Sequence, residues 1–245
     1  MSTQLTIVNN VLERLREDTV TSVADKAYSK LIARFVNDAK ADLEDISYEW
    51  SVYVDEVDLT ILADSSTVTY TATGSNERSW LMREFHDDRL PAAYDVTANE
   101  VAQLFDVPYK VLKREKNLTN DQTTTSTYPR AFCVKANSDG SGYEIEIPWP
   151  VSSTDSARTW RTYWYNPQAD LALDGSDDAT VIKLPTRPIE MRAIYYALNE
   201  RGEEMGEPGG VAEARANAAT AAALENDMQV QKKSDEIDFK RAESL

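Results

Sequence analysis

At 245 residues, 42% hydrophobic and 28% charged, the chain is long enough to bury a core, and its composition excludes collagen-like, low-complexity and fully disordered classes. Forty-two acidic residues against 26 basic ones leave a net charge of −16, which argues against nucleic-acid binding through clustered positive charge. A lone histidine, His86, excludes His-rich metal sites and any mechanism needing two imidazoles, and a lone cysteine, Cys133, excludes an internal disulfide.

The N-terminus, Met1-Ser2-Thr3-Gln4-Leu5, has neither a basic nor an apolar signal region, so no secretory leader is expected. No apolar run is long enough to span a bilayer. Residues 1–49 read as helix. Leu5, Val8, Leu12 and Leu15 recur at spacings of three and four, and Glu17, Asp18 and Thr19 interrupt them. Ser22-Val23-Ala24-Asp25 resembles a capping box for a second helix. In that helix Tyr28, Leu31, Ile32, Phe35, Ala39, Leu43, Ile46 and Trp50 trace one stripe, opposite Lys26, Lys30, Arg34, Asp38, Asp42 and Asp45.

Residues 50–183 change to strand-favouring valine, threonine, tyrosine and tryptophan. Strands are expected at Ser51–Ile61, Val68–Thr71, Trp80–Phe85, Ala131–Lys135, Tyr143–Ile147 and Thr159–Tyr165. The turn at 137–142 joins two of them as a hairpin, with two glycines supplying positive φ. Between the two sheet regions Ala98 to Lys116 reads as helical, with Pro108 opening its second piece, and Leu118 to Tyr128 as an exposed loop.

Residues 184–230 return to helix. Thr186 is the expected N-cap, with Pro188 in the first turn. Met191 to Leu198 is apolar on all sides but for Arg192, which predicts a central, buried helix ended by Gly202, Gly206 and Pro208-Gly209-Gly210. The last helix carries eight alanines between Ala212 and Ala223. Periodicity fades beyond Met228, and residues 231–245 read as an extended, charged C-terminal arm anchored by Ile237 and Phe239, with Lys232, Lys233, Lys240 and Arg241 around them. The fold class is therefore α+β: terminal helices forming a helical bundle, a β-rich insertion, and an arm. Two helical hairpins, each covered by another subunit, are the alternative arrangement. Tyr28, Leu31, Phe35, Ile194, Tyr195, Leu198, Ala218 and Ala222 are expected to pack helix against helix or subunit against subunit.

Chemistry is thinly represented. Phosphate-cradling glycine loops, His-Glu-x-x-His and EF-hand spacings are absent, since the turns at Asp139–Gly142 and Asp174–Asp178 lack spaced ligands. His86-Asp87-Asp88 with Cys133 or a serine would make a nucleophilic constellation, but a strand-end histidine and a buried thiol are the simpler accounts. Carboxylate pairs are too abundant to single out a glycosidase dyad. Asn117-Leu118-Thr119 matches a glycosylation sequon with no accompanying sign of secretion. No catalytic, cofactor or metal residue is expected, and the chain is expected not to be an enzyme.

Architecture carries more. Thr6-Ile7-Val8-Asn9-Asn10-Val11-Leu12-Glu13-Arg14-Leu15-Arg16-Glu17, followed by Ser29-Lys30-Leu31-Ile32 and Phe35-Val36-Asn37-Asp38-Ala39-Lys40, resembles the opening of the head-to-tail adaptor proteins of short-tailed bacteriophages. Ile145-Glu146-Ile147-Pro148-Trp149-Pro150 and Tyr163-Trp164-Tyr165-Asn166-Pro167-Gln168-Ala169-Asp170-Leu171 are similar to that family's second strand pair. Leu184-Pro185-Thr186-Arg187-Pro188-Ile189 through Leu198-Asn199-Glu200-Arg201-Gly202-Glu203 resembles its third helix, whereas residues 64–130 match poorly.

The resemblance implies a virion structural protein without cofactors, assembled in the bacterial host cytoplasm and resident in the neck of the tail. It implies a ring of twelve copies that joins the portal protein to a tail nozzle or tail tube, beside tail fibres, with DNA as non-specific passage through the channel. On this basis Ile237, Phe239, Lys232, Lys233, Lys240 and Arg241 are the expected portal-binding residues. A connector or tail-completion protein of another assembly, and an adaptor with cell-wall hydrolase activity, are the competing expectations.

Overall fold

The structure, a computed structural model, describes residues 2–46, 48–62, 65–71, 79–82, 93–95, 103–118, 131–137, 142–148, 158–202 and 207–242. In chain order its elements are α1 (Gln4–Arg14), α2 (Ala27–Glu44), a single 3-10 turn (Ser51–Tyr53), β1 (Val54–Ile61), β2 (Thr67–Tyr70), β3 (Trp80–Leu81), β4 (Ala93–Asp95), β5 (Gln103–Asp106), α3 (Tyr109–Leu118), β6 (Ala131–Ala136), β7 (Tyr143–Glu146), β8 (Arg158–Tyr165), α4 (Thr186–Glu200) and α5 (Glu207–Ala242). The fold is mixed α+β, and it divides into two compact units: residues 1–52 with 169–245, and residues 53–168.

In the first unit α1 packs on α2 and α4, α2 on α4, and α5 on α4. Thr3 caps α1 by accepting the Thr6 N–H at 3.3 Å, and the helix buries Ile7, Val8, Val11 and Leu12. The Ser22–Asp25 box lies ahead of α2 rather than at its start. Asp25 accepts the Thr21 and Ser22 N–H groups and the Thr21 hydroxyl, which holds its carboxyl below the usual range, while Ser29 accepts the Lys26 N–H at 3.1 Å. The buried stripe of α2 runs through Ile32, Ala33, Val36, Ala39, Lys40 and Leu43. It is rotated from the expected one, so Tyr28, Leu31 and Phe35 flank it half-buried. The helix also ends at Glu44, short of Trp50. Trp50 folds back, 1% exposed, and its indole N–H donates at 2.8 Å to the Leu43 carbonyl, one of the last-turn acceptors a helix cannot satisfy itself.

Residues 169–183 belong with the helices, not with the β-rich stretch where composition placed them. Backbone bonding explains this. Asn37 exchanges two hydrogen bonds with Leu171, Gln4 N–H donates to the Thr180 carbonyl, and Thr3 bridges Val181. Leu171, Ile182 and Leu184 are buried as a result.

The second unit is built on one sheet in the order β1-β8-β4-β5-β6-β7-β2, with β3 also paired to β8. All pairings are antiparallel except β5 with β6. β1 and β8 match along their full length, Val54 opposite Tyr165 to Ile61 opposite Arg158. Leu59, Tyr70, Leu81, Phe132, Ile145, Ile147, Trp160 and Trp164 form the core. Within the stretch expected to be helical, Gln103–Asp106 is a strand and the helix starts only at Tyr109, after Pro108, which tolerates a helix start but not a helix interior. Gly142 does not need positive φ. A Cβ there would collide with the Tyr70 carbonyl oxygen, so the turn needs glycine for close approach to β2. Among the earlier expectations, His86, Gly140, the 123–125 threonine run and residues 83–85 lie outside the described residues.

Candidate interaction surface

Cys133 is 1% exposed within β6, and among the described residues no group of three His, Cys, Asp or Glu side chains is placed to hold a metal. No helix among the described residues is long and apolar enough to cross a membrane. Among the described residues the buried charged side chains include Glu146 and Lys40, neither expected from the sequence. Glu146 on β7 is 3% exposed and accepts from Lys113 at 3.2 Å and Lys135 at 3.3 Å. Lys40 is fully buried between Glu44 and Asp170. Both satisfy the rule that buried charge comes paired.

The surface with binding character lies on the helical unit. α4 begins at Thr186, with Pro185 in the cap position and no side chain capping it. Its interior face is Pro188, Ile189, Glu190, Ala193 and Ala197, while Ile194, Tyr195 and Leu198 are only half-buried. The helix is thus central but not enclosed. Gly202, at φ +73°, ends it by the left-handed route. Pro208-Gly209-Gly210 lies in the first turn of α5, where a missing N–H costs nothing.

α5 buries Ala212, Ala216, Thr220 and Ala223, small enough to let it lie close to α4. Ala218 and Ala222 are exposed instead. Asp227 then ties the helix to the 48–51 segment, accepting the Tyr48 hydroxyl at 2.8 Å and the Ser51 N–H at 3.0 Å. Beyond it Met228 is 45% and Val230 60% exposed. Positions 216, 223 and 230 are one heptad apart and share a stripe, with a drift of only about 20° per heptad. The stripe that packs against α4 therefore runs on to an uncovered Val230.

That continuation corrects the expected extended arm. Residues 231–242 are helical, in unbroken continuation of α5. The sequence from Val211 to Leu245 contains no glycine or proline to stop a helix, and charged residues of good propensity carry it on. Lys232, Lys233, Ile237, Phe239, Lys240 and Arg241 all fall in this stretch. In a helix, positions 237 and 239 stand about 200° apart, whereas an extended arm would place them on the same side.

Beside α5 runs a groove of about 720 Å³ formed with α1 and α4. Pro185, Pro188, Met191, Ala219, Ala222 and Val230 line it, and Arg14, Arg187 and Arg215 border it. These arginines escape sequence inspection because they come from three helices up to 201 positions apart, and only packing brings them together.

Two tyrosines brace the surface and give it a pH signature. Burial, then a hydrogen bond donated to Asp42, pushes the Tyr196 phenol up to about 12, and burial with the bond to Asp227 pushes Tyr48 up further. A phenol held neutral in the fold stabilises fully below the unfolded phenol's pKa near about 10, and this stabilisation is lost as pH rises toward the folded value. Thermal midpoints measured from about pH 8 to about pH 11.5 should hold level and then fall above about pH 10. Tyr196→Phe should make that fall shallower, and an unchanged slope would show that the Tyr196–Asp42 bond contributes nothing.

No protein-family profile and no curated protein matches this chain.

Proposed function

We propose that the chain is a structural, non-enzymatic head-to-tail adaptor of a phage virion, a ring-forming subunit that joins the portal to the tail. The single observation behind this is that, among the described residues, the last buried side chain of α5 is Ala223, while Val230 of the same stripe is 60% exposed and the helix runs on to Ala242. A helix of 36 residues, about 54 Å long, whose apolar stripe is already uncovered at Val230 is suited to being covered by another chain. The net charge of −16 suits a passage through which DNA slides without adhering. The resemblance to short-tailed phage adaptors at 6–40 and 184–203 falls on α1, α2 and α4, and α4 is the helix on which α5 packs.

Light scattering of the protein alone and mixed with purified portal tests the proposal, with class averages of the mixture by electron cryomicroscopy. A monomer or small oligomer alone and a closed ring on the portal are expected. A tight dimer that never engages portal would overturn adaptor function.

A further inference from the structure

We propose that the groove between α1, α4 and α5 binds an acidic amphipathic segment of a partner protein. The identity of the partner as a virion component rests on the adaptor proposal, but the chemistry of the groove does not. A chain of charge −16 should repel acidic partners over most of its surface. This groove is the reverse. Arg14, Arg187 and Arg215 border it. Among the described residues Arg187 and Arg215 carry neither an ion pair nor a hydrogen bond, and both are exposed. Arg14 has Glu190 at 4.0 Å and donates to the Met191 sulfur at 3.6 Å, a weak acceptor that leaves its charge largely unanswered. The α4 N-terminus adds to this sign, because Pro185 offers no side-chain acceptor to its first turn and the positive end of the helix dipole stays unanswered. Asp227, the carboxylate that also lines the groove, is already engaged by Tyr48 and Ser51.

The lining decides between classes of anionic partner. It is apolar, with Pro188, Met191, Ala222 and Val230, and it holds no aromatic ring on which a base could stack. Alanines on the α5 wall leave room for a partner's larger apolar side chains, and guanidinium groups at the border match carboxylates flanking them. An amphipathic segment with an apolar stripe and acidic flanks satisfies both halves, whereas a nucleic-acid backbone satisfies only the border.

The test uses the full chain and two fluorescent amphipathic peptides of about 20 residues, one with glutamates flanking a leucine stripe and one with lysines in their place. Anisotropy is read at about 50 mM and about 300 mM salt, where the screening lengths differ more than twofold. The glutamate peptide should bind at least about tenfold more tightly than the lysine peptide, and the gap should shrink at the higher salt. Arg187→Glu with Arg215→Glu should abolish the preference, and Ala222→Trp should block the groove. All three positions are exposed, so the thermal midpoint should stay put in both variants. Equal binding of the two peptides, binding of neither, undiminished binding in Ala222→Trp, or preference for a DNA duplex over the glutamate peptide would each overturn the inference. Ring formation on portal involves none of these peptides, so a failure here is distinct from a failure of adaptor function.

Discussion

Replacing Lys40 with methionine should destabilise the helical unit by about 3–5 kcal/mol, the usual cost of breaking a buried ion pair from one side. The Lys40 side chain is 0% exposed, with Nζ 3.2 Å from a Glu44 oxygen on the next turn and 3.5 Å from Asp170. Glu44 is 2% exposed at its side chain, so losing the cation leaves a buried carboxylate without the Lys40 charge that faces it. Asp170, 66% exposed, is solvated and loses little. The double variant Lys40→Met with Glu44→Leu should recover most of the loss, because an apolar pair of similar volume removes the stranded charge along with its partner. Urea unfolding followed on helical signal gives both values, provided the slope is unchanged between variants. A single-variant loss under about 1 kcal/mol would mean that water reaches the pair.

Deleting residues 231–245 should leave folding of the helical unit nearly untouched and, if the chain is the adaptor proposed above, should weaken portal engagement by about tenfold or more. The stability half follows from burial, because among the described residues the last buried side chain of α5 is Ala223 and the last hydrogen-bonded tie to another segment is Asp227. The binding half follows from the uncovered stripe. Burying one isoleucine is worth roughly 1.5–3 kcal/mol, and about 1.4 kcal/mol is tenfold in affinity. Helical geometry sharpens the expectation for single variants. Position 237 continues the stripe of 216, 223 and 230, and position 239 lies across the helix from it. Ile237→Ala should therefore carry most of the loss and Phe239→Ala much less, if α5 stays helical in the complex. Equal losses from the two would indicate that the segment docks extended, and full-strength portal binding by the truncated chain would place the contact elsewhere on the helical unit.

Period and composition, both local properties, determined a good deal by themselves. The i, i+3, i+4 pattern located α1 and α2, strand-favouring residues between turn signals located β6, β7 and β8, and the alanine run located α5. The shift from helical to β-favouring residues near position 50 matches a boundary at 52. Tertiary structure decided the rest, because the forces concerned act between residues far apart in the chain. Periodicity placed the α2 stripe within one helical step, but its rotation depends on which neighbours cover it, and a fully buried Lys40 is intelligible only once Glu44 and Asp170 stand beside it. Residues 169–183 looked like the end of the β-rich stretch until their hydrogen bonds to α1 and α2 drew them into the helical unit. Gln103–Asp106 became a strand because β4 and β6 offered it ladder partners, which outweighed its local helical pattern. The binding groove is the extreme case. Arg14, Arg187 and Arg215 are ordinary surface arginines in the sequence, and their convergence exists only because α1, α4 and α5 pack side by side and hold like charges at one border, an arrangement no local pattern encodes.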